Sequence, residues 1–373
     1  MQKTLPHVDG GLITALFFLS GVSLLTLFGI GLRDGAYTLF IRQSIWLVIA
    51  LAAFLVMSAI DYRTFRGARA SIMLFYVIGV LLLAGVLLFG VKIRGSVSWF
   101  RIGLVSIEPV EFIKIIFIIV LAQYFSLRHI ESYRITHVLV SGIYALVYSA
   151  LILLQPDMGS AVVLVGVWLG VVLISGAKIK QFLSLLLLGV LLFTLGWFFY
   201  FADYQKERLL SFIRPGYDPQ GAGYNVRQAF VAIGSGGLVG KGIAEATQVQ
   251  LRFLPEAETD FIFAAVGENF GLLGLFLTIF SIGYVLIWCL MTASSAQNNF
   301  SRLISLGVFL LILIQSSIHI GMNLGMFPVT GVPLPFVSYG GSSLISMFIG
   351  IGIVQGIASR SKSAYSEEAI ELG

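Results

Sequence analysis

Residues 303–359 read LISLGVFLLILIQSSIHIGMNLGMFPVTGVPLPFVSYGGSSLISMFIGIGIVQGIAS, 57 residues without a Lys, Arg, Asp or Glu. A helix that crosses a bilayer needs about 20 mostly apolar residues, so this run is long enough for two. Pro328, Pro333, Pro335 and the pair Gly340–Gly341 divide it, because proline lacks the amide proton a helix needs and glycine weakens one. The pattern predicts two spans joined by broken backbone. At membrane depth such backbone must be buried in protein or line a cavity.

Working outward, uncharged stretches recur at Gly10–Leu32, Gln43–Ile60, Ala70–Val91, Val138–Pro156, Met158–Ala177, Gln181–Ala202 and Asn269–Ser301. One more apolar stretch, about Val110–Leu127, carries Glu111 and Lys114. The fold expected is an all-α polytopic membrane protein with ten transmembrane helices. A large extracytoplasmic loop, 203–261, lies between the seventh and eighth, and a polar cytoplasmic tail covers 359–373. Residues 1–373 form a single membrane domain. Gly10–Leu32 is too long for the apolar part of a secretory leader and is expected to be retained as the first span. Composition agrees. The chain is 58% hydrophobic and 11% charged, with a mean hydropathy of +0.97, against about 45–50% and about 25% in soluble domains. A soluble enzyme, a disordered chain and a disulfide scaffold are excluded. The single cysteine, Cys289, lies in an apolar run.

The net charge of +5 follows membrane orientation rather than nucleic acid as a partner. With the N-terminus inside, the inner segments collect Lys3, Arg63, Arg66, Arg69, Arg128, Arg134, Lys178, Lys180, Arg302, Arg360 and Lys362. The short outer loops hold Arg33, Arg42, Lys92, Arg94 and Arg101. This bias predicts both termini in the cytoplasm. Carboxylates and prolines concentrate on the other side, so the chemistry is sought there.

Segment 203–261 also holds Arg208, Arg214, Arg227, Lys241 and Arg252, cations suited to a lipid phosphate or diphosphate; the bland alternative is a solvated loop. A short surface helix is expected around Tyr224–Ile233. The string Gly234–Gly242 is no phosphate-binding loop, because Ser235 and Gly242 stand where that motif needs glycine and a hydroxyl residue. Residues 253–271, FLPEAETDFIFAAVGENFG, place Asp260 at the membrane surface. A carboxylate balanced between burial and nearby cations can serve as a base towards a hydroxyl. The alternative is an acid favouring a helix N-terminus, which suits Glu258 better. Glu111 and Lys114 share a helix face at i, i+3 and either pair structurally or line a polar pocket. Asp157 is either an N-cap of the sixth helix or part of that pocket. Segment 92–108 alternates like a short outer hairpin carrying Arg94, Trp99 and Arg101. Trp99 is an interfacial aromatic or a platform for a sugar face. His319 and Asn323 precede the proline-rich break, and neither belongs to a ligand pattern. No tight protein metal site is expected.

Three blocks resemble the SEDS family, the RodA/FtsW/SpoVE membrane proteins: FLPEAETDFIF at 253–263, the run ending PLPFVSYGGSS at 325–343, and GYNVRQ with AIGSGGLVGKG at 221–242. QPDMG at 155–159 and EPVEFIK at 108–114 support them. The resemblance covers essentially the whole chain, and GYNVRQ at 223–228 and ATQVQ at 246–250 look closer to the RodA branch. Val110, Glu258 and Asn269 depart from residues common in the family.

The resemblance implies a peptidoglycan glycosyltransferase that polymerises lipid II on the outer face of the bacterial cytoplasmic (inner) membrane during elongation. It implies a class B penicillin-binding protein and the elongation machinery as partners, and no nucleotide. The expected base is Asp260. Arg101, Arg208, Arg227 and Lys241 would hold the diphosphate, with Trp99 beside them. Glu111, Lys114, Asp157, Glu258, Ser338 and Tyr339 would shape the cavity. A magnesium or manganese ion bridging phosphate oxygens is a further expectation. The alternatives are a lipid II flippase, a septal polymerase of the FtsW type and a scaffold.

Overall fold

The computed structural model describes residues 9–32, 35–61, 63, 69–93, 96–103, 105–127, 135–199, 201, 203–213 and 221–371. Lys3, Arg33, Arg66, Arg94, Arg128, Arg134 and Arg214 lie outside the described residues, as does the side chain of Arg208.

The first half contains α1 (Gly10–Leu32), α2 (Thr38–Ala59), α3 (Arg69–Phe89), α4 (Pro109–Ser126), α5 (Ile135–Leu154), α6 (Met158–Ile174) and α7 (Ile179–Phe199). Between α3 and α4 runs an antiparallel meander of β1 (Val91–Ile93), β2 (Ser96–Ile102) and β3 (Val105–Ile107). Three shorter helices follow: α8 (Asp203–Ile213), α9 (Ala222–Ser235) and α10 (Thr247–Gln250). The chain closes with α11 (Ile262–Ser294), α12 (Asn299–Asn323) and α13 (Gly341–Glu371). Eight of these are long and apolar enough to cross a membrane, and two shorter apolar helices, Met73–Phe89 and Met158–Ile174, complete the ten expected spans. The molecule is a helical, multi-pass membrane protein. The hairpin expected at 92–108 is a three-stranded meander, and the surface helix expected near Tyr224 is α9.

The eighth span begins at Ile262, where the expected loop 203–261 ends and seven residues before the uncharged stretch from Asn269. Glu268, which ended the uncharged stretch, is fully buried inside the helix and paired with Lys241 at 2.9 Å, so its charge does not stop the span. The polar end of the chain continues α13 to Glu371, because no proline or glycine interrupts residues 357–371.

Helix α11 breaks at Gly271, whose φ is 67° and ψ −164°. The break leaves amides and carbonyls that membrane would not satisfy. The loop after α9 supplies their partners. Leu272 and Leu273 amides donate to the Gly237 and Leu238 carbonyls at 2.9 and 3.0 Å, while Lys241 and Gly242 amides donate to the Glu268 and Asn269 carbonyls at 3.0 and 3.1 Å. The glycine string is therefore a structural splice. A Cβ on Gly240 would lie 2.2 Å from the Asn269 carbonyl oxygen.

Candidate active site

The loop before α11 carries Asp260 and is held at three successive carbonyls, each accepting from a donor elsewhere in the chain. The Tyr339 amide donates to the Glu258 carbonyl at 2.9 Å. The Ser338 hydroxyl donates to the Thr259 carbonyl at 2.9 Å, and the Asn323 amide nitrogen Nδ2 donates to the Asp260 carbonyl at 2.9 Å. Ser338 is itself fixed, because its Oγ accepts from the Leu334 amide at 2.8 Å and its carbonyl accepts from Gln43 Nε2 at 3.2 Å. Gln43 Oε1 also accepts from the Gly340 amide at 3.2 Å. The two sequence blocks 253–263 and 325–343 are thus one unit. The broken backbone between α12 and α13 is buried at Val332 and Leu334–Ser338 and open at Met326, Phe327 and Gly331, so part is packed in protein and part faces outward.

Glu108, just before α4, is where ionisable groups from separate elements, Asp260 among them, come into electrostatic range. Lys114 Nζ and Glu111 Oε1 pair at 2.7 Å with both side chains 2% exposed. Glu111 Oε2 has no hydrogen-bond partner among the described residues. Asp157 Oδ1 accepts from the Ser160 amide at 3.0 Å, so it does cap α6. Its turn is tied to the meander, where the Gln155 carbonyl accepts from the Val97 amide at 3.3 Å. Burial pushes the Glu108 carboxyl well above the usual range; Glu111 and Asp157 raise it further, Lys114 opposes them, and Asp260 adds to the rise. The charges of three other carboxylates and one ammonium therefore act at Glu108. Gly331 faces Asp260 directly, where a Cβ would lie 3.7 Å from Oδ2. Asp260 is half-buried, which suits a base that must meet substrate yet be held in place.

The other expected residues fall elsewhere. Lys241 is committed to Glu268, whose oxygens also accept from the Gln248 and Val249 amides at 3.0 Å each. That arrangement accounts for its charge as an anchor of the loop. Arg101 and Arg227 are exposed and have no carboxylate partner among the described residues. Trp99 is half-buried on β2, opposite Val91. Ser338 and Tyr339 act through the backbone of the Asp260 loop, and Glu258 offers its carbonyl to it. The sequence did not single out Glu108 or Gln43, and it marked Asn323 only as preceding the proline-rich break. For Glu108 a signal existed, since a carboxylate immediately before a helix-starting proline lies at the outer end of the span that carries Glu111.

No three His, Cys, Asp or Glu side chains are grouped as a metal-ligand set among the described residues.

The family model described as "Cell cycle protein", FtsW/RodA/SpoVE, matches residues 8–363. The chain belongs to the FtsW/RodA/SpoVE family. Within that family it is similar to the Escherichia coli peptidoglycan glycosyltransferase MrdB, 34% identical over 316 residues, covering 85% of this chain and 84% of that protein. It is also similar to the Bacillus subtilis stage V sporulation protein E, 36% identical over 330 residues, covering 86% and 87%. Among solved structures of the family, the Thermus thermophilus rod shape determining protein RodA superposes with a TM-score of 0.68 at 26% identity, covering 94% of this chain and 97% of that one. A chain from a peptidoglycan synthase complex that coordinates polymerization and crosslinking superposes with a TM-score of 0.79 at 28% identity, covering 95% and 98%.

Proposed function

We propose that this protein is a peptidoglycan glycosyltransferase that polymerises lipid II on the outer face of the bacterial cytoplasmic membrane, acting in cell elongation with a class B penicillin-binding protein. The observation that carries the reading is Asp260. It is half-buried at the start of a membrane span, its loop is clamped at three successive carbonyls, and it lies within reach of the charges around Glu108. Relatives named as peptidoglycan glycosyltransferases support the reaction class, and the RodA-like sequence at 223–228 supports elongation.

The growing glycan on its lipid diphosphate is the donor, and lipid II is the acceptor. The acceptor 4-hydroxyl attacks the anomeric carbon from the face opposite the diphosphate, and Asp260 takes its proton. The new glycosidic bond forms as the bond to the diphosphate breaks, and that electron pair leaves with the diphosphate. The configuration inverts. A general base contributes about 10²–10⁴-fold. Arg101, Arg208 and Arg227 are the cations proposed to meet the diphosphate. Lys114, held by Glu111, keeps the pocket polar, and Asp157 and Glu258 shape its walls. A magnesium or manganese ion would arrive on the diphosphate and belongs with the substrate.

The test incubates purified protein and its penicillin-binding partner, transpeptidase blocked, with labelled lipid II. Wild type should give glycan ladders. Asp260→Ala should lose at least about 100-fold in rate while keeping its thermal midpoint. Undiminished ladders from Asp260→Ala would remove the base. Lipid II crossing proteoliposome membranes without ladders from wild type would favour a flippase instead.

A further inference from the structure

The Asp260 carbonyl is held by a side chain that projects from the outer end of another span. We propose that Asn323 is the positioning residue of Asp260, setting where its carboxylate sits; the inference rests on the assignment of Asp260 as base. Asn323 is 0% exposed. Its Oδ1 accepts from the Ala264 amide at 3.1 Å. Its Nδ2 donates to the Asp260 carbonyl at 2.9 Å and to the His319 carbonyl at 2.9 Å.

An asparagine carries two donors and one acceptor oxygen on a single rigid plane. Ala264 lies in the first turn of α11, where amides have no partner within the helix, and the N-cap residue Phe261 supplies no side-chain bond. One carboxamide therefore ties the residue before the helix, the first turn of the helix and α12 together. Aspartate can accept but cannot donate. Leucine keeps the shape and does neither. Glutamine is a methylene too long for the same three atoms.

His319, one turn earlier on α12, holds the opposite wall. Its Nδ1 lies 2.8 Å from the Val332 carbonyl. A carbonyl only accepts, so Nδ1 carries the proton. Val332 follows Gly331, the residue that faces Asp260 Oδ2. A single helix thus sets both the peptide that carries the carboxylate and the irregular segment in front of it. Displacing a reacting group by about 1 Å can cost about 10²-fold in rate.

The experiment compares wild type, Asn323→Asp, Asn323→Leu and Asp260→Asn by initial rates of labelled lipid II polymerisation, over substrate concentration and pH, with the partner bound. Asn323→Asp keeps an acceptor for Ala264 and should keep the fold by thermal midpoint. Its kcat should fall about 10–100-fold with KM within about twofold. The acidic limb of its pH profile should move to higher pH, because a new anion beside Asp260 favours the protonated acid. Asn323→Leu should lose at least as much kcat. Wild-type kcat in folded Asn323→Asp overturns the inference, whatever becomes of Asn323→Leu. A change in KM alone overturns it too. An inactive Asp260→Asn beside a fully active Asn323→Asp removes the positioning role and leaves the base; an active Asp260→Asn removes both.

Discussion

Glu108 stands immediately before Pro109, and its neighbours in space come from α4, the α5–α6 turn and the α11 approach. At this scale local spacing was informative for pairs on one helix. The i, i+3 separation of Glu111 and Lys114 put them on one face, and they do pair. Asp157 before Met158 announced a cap, and it caps α6. For Glu108 the local signal covers Glu111 and Lys114 on α4, while Asp157 and Asp260 reach it only through the fold. The folded Glu108 carboxyl holds a proton to higher pH than the unfolded chain does, since burial and three carboxylates oppose its charge. Between the ordinary carboxylate range and that raised value, the native state binds more protons, so stability falls as pH rises. Glu108→Gln removes this penalty. Its thermal midpoint in detergent should exceed that of wild type by a margin that grows as pH rises above the ordinary carboxylate range. A constant margin as pH rises would contradict the raised carboxyl.

The element that departs furthest from a simple span is α11. Its broken turn at Gly271 is completed by the 237–242 loop, and Lys241 locks that loop to buried Glu268. The glycine-rich string resembled a phosphate cradle only in composition; packing explains it. Gly240 has a φ of 86° and no room for a Cβ beside the Asn269 carbonyl. A left-handed backbone and a blocked side chain both disfavour alanine there, each at about 1–3 kcal/mol. Gly240→Ala should lower the thermal midpoint by several degrees, and lipid II polymerisation should fall with it because α11 starts at the Asp260 loop. A wild-type midpoint would show that the loop is not spliced to α11.

Over the whole molecule, hydropathy and charge bias predict the sidedness that chemistry on an outer-leaflet substrate requires. Cys289 is 0% exposed, so thiol labelling starts from a silent background. Exposed positions Ala244, beside the glycine loop, and Ser295, between α11 and α12, report opposite faces. In intact cells a membrane-impermeant maleimide should label Ala244→Cys, and should label Ser295→Cys only after permeabilisation. The reverse pattern would invert the topology and place Asp260 on the wrong side for outer-leaflet lipid II.

The chain alone determined the helical spans and the shared helix face of Glu111 and Lys114; the expected hairpin gained a third strand, and the pairing itself came from the structure. The spans and the shared face follow from hydropathy and helix spacing, which act over a few turns and add along the chain. Residues 325–343 were legible as broken backbone, because proline and glycine act locally. Tertiary structure alone decided what that backbone grips. Three carbonyls in a row at 258–260 find donors on Tyr339, Ser338 and Asn323, residues 63 to 81 positions away in sequence. It also decided that Lys241 meets Glu268 and that Asp157 and Asp260 come into range of Glu108. A hydrogen bond needs its partners within about 3 Å, and only the packed helices bring such distant residues that close.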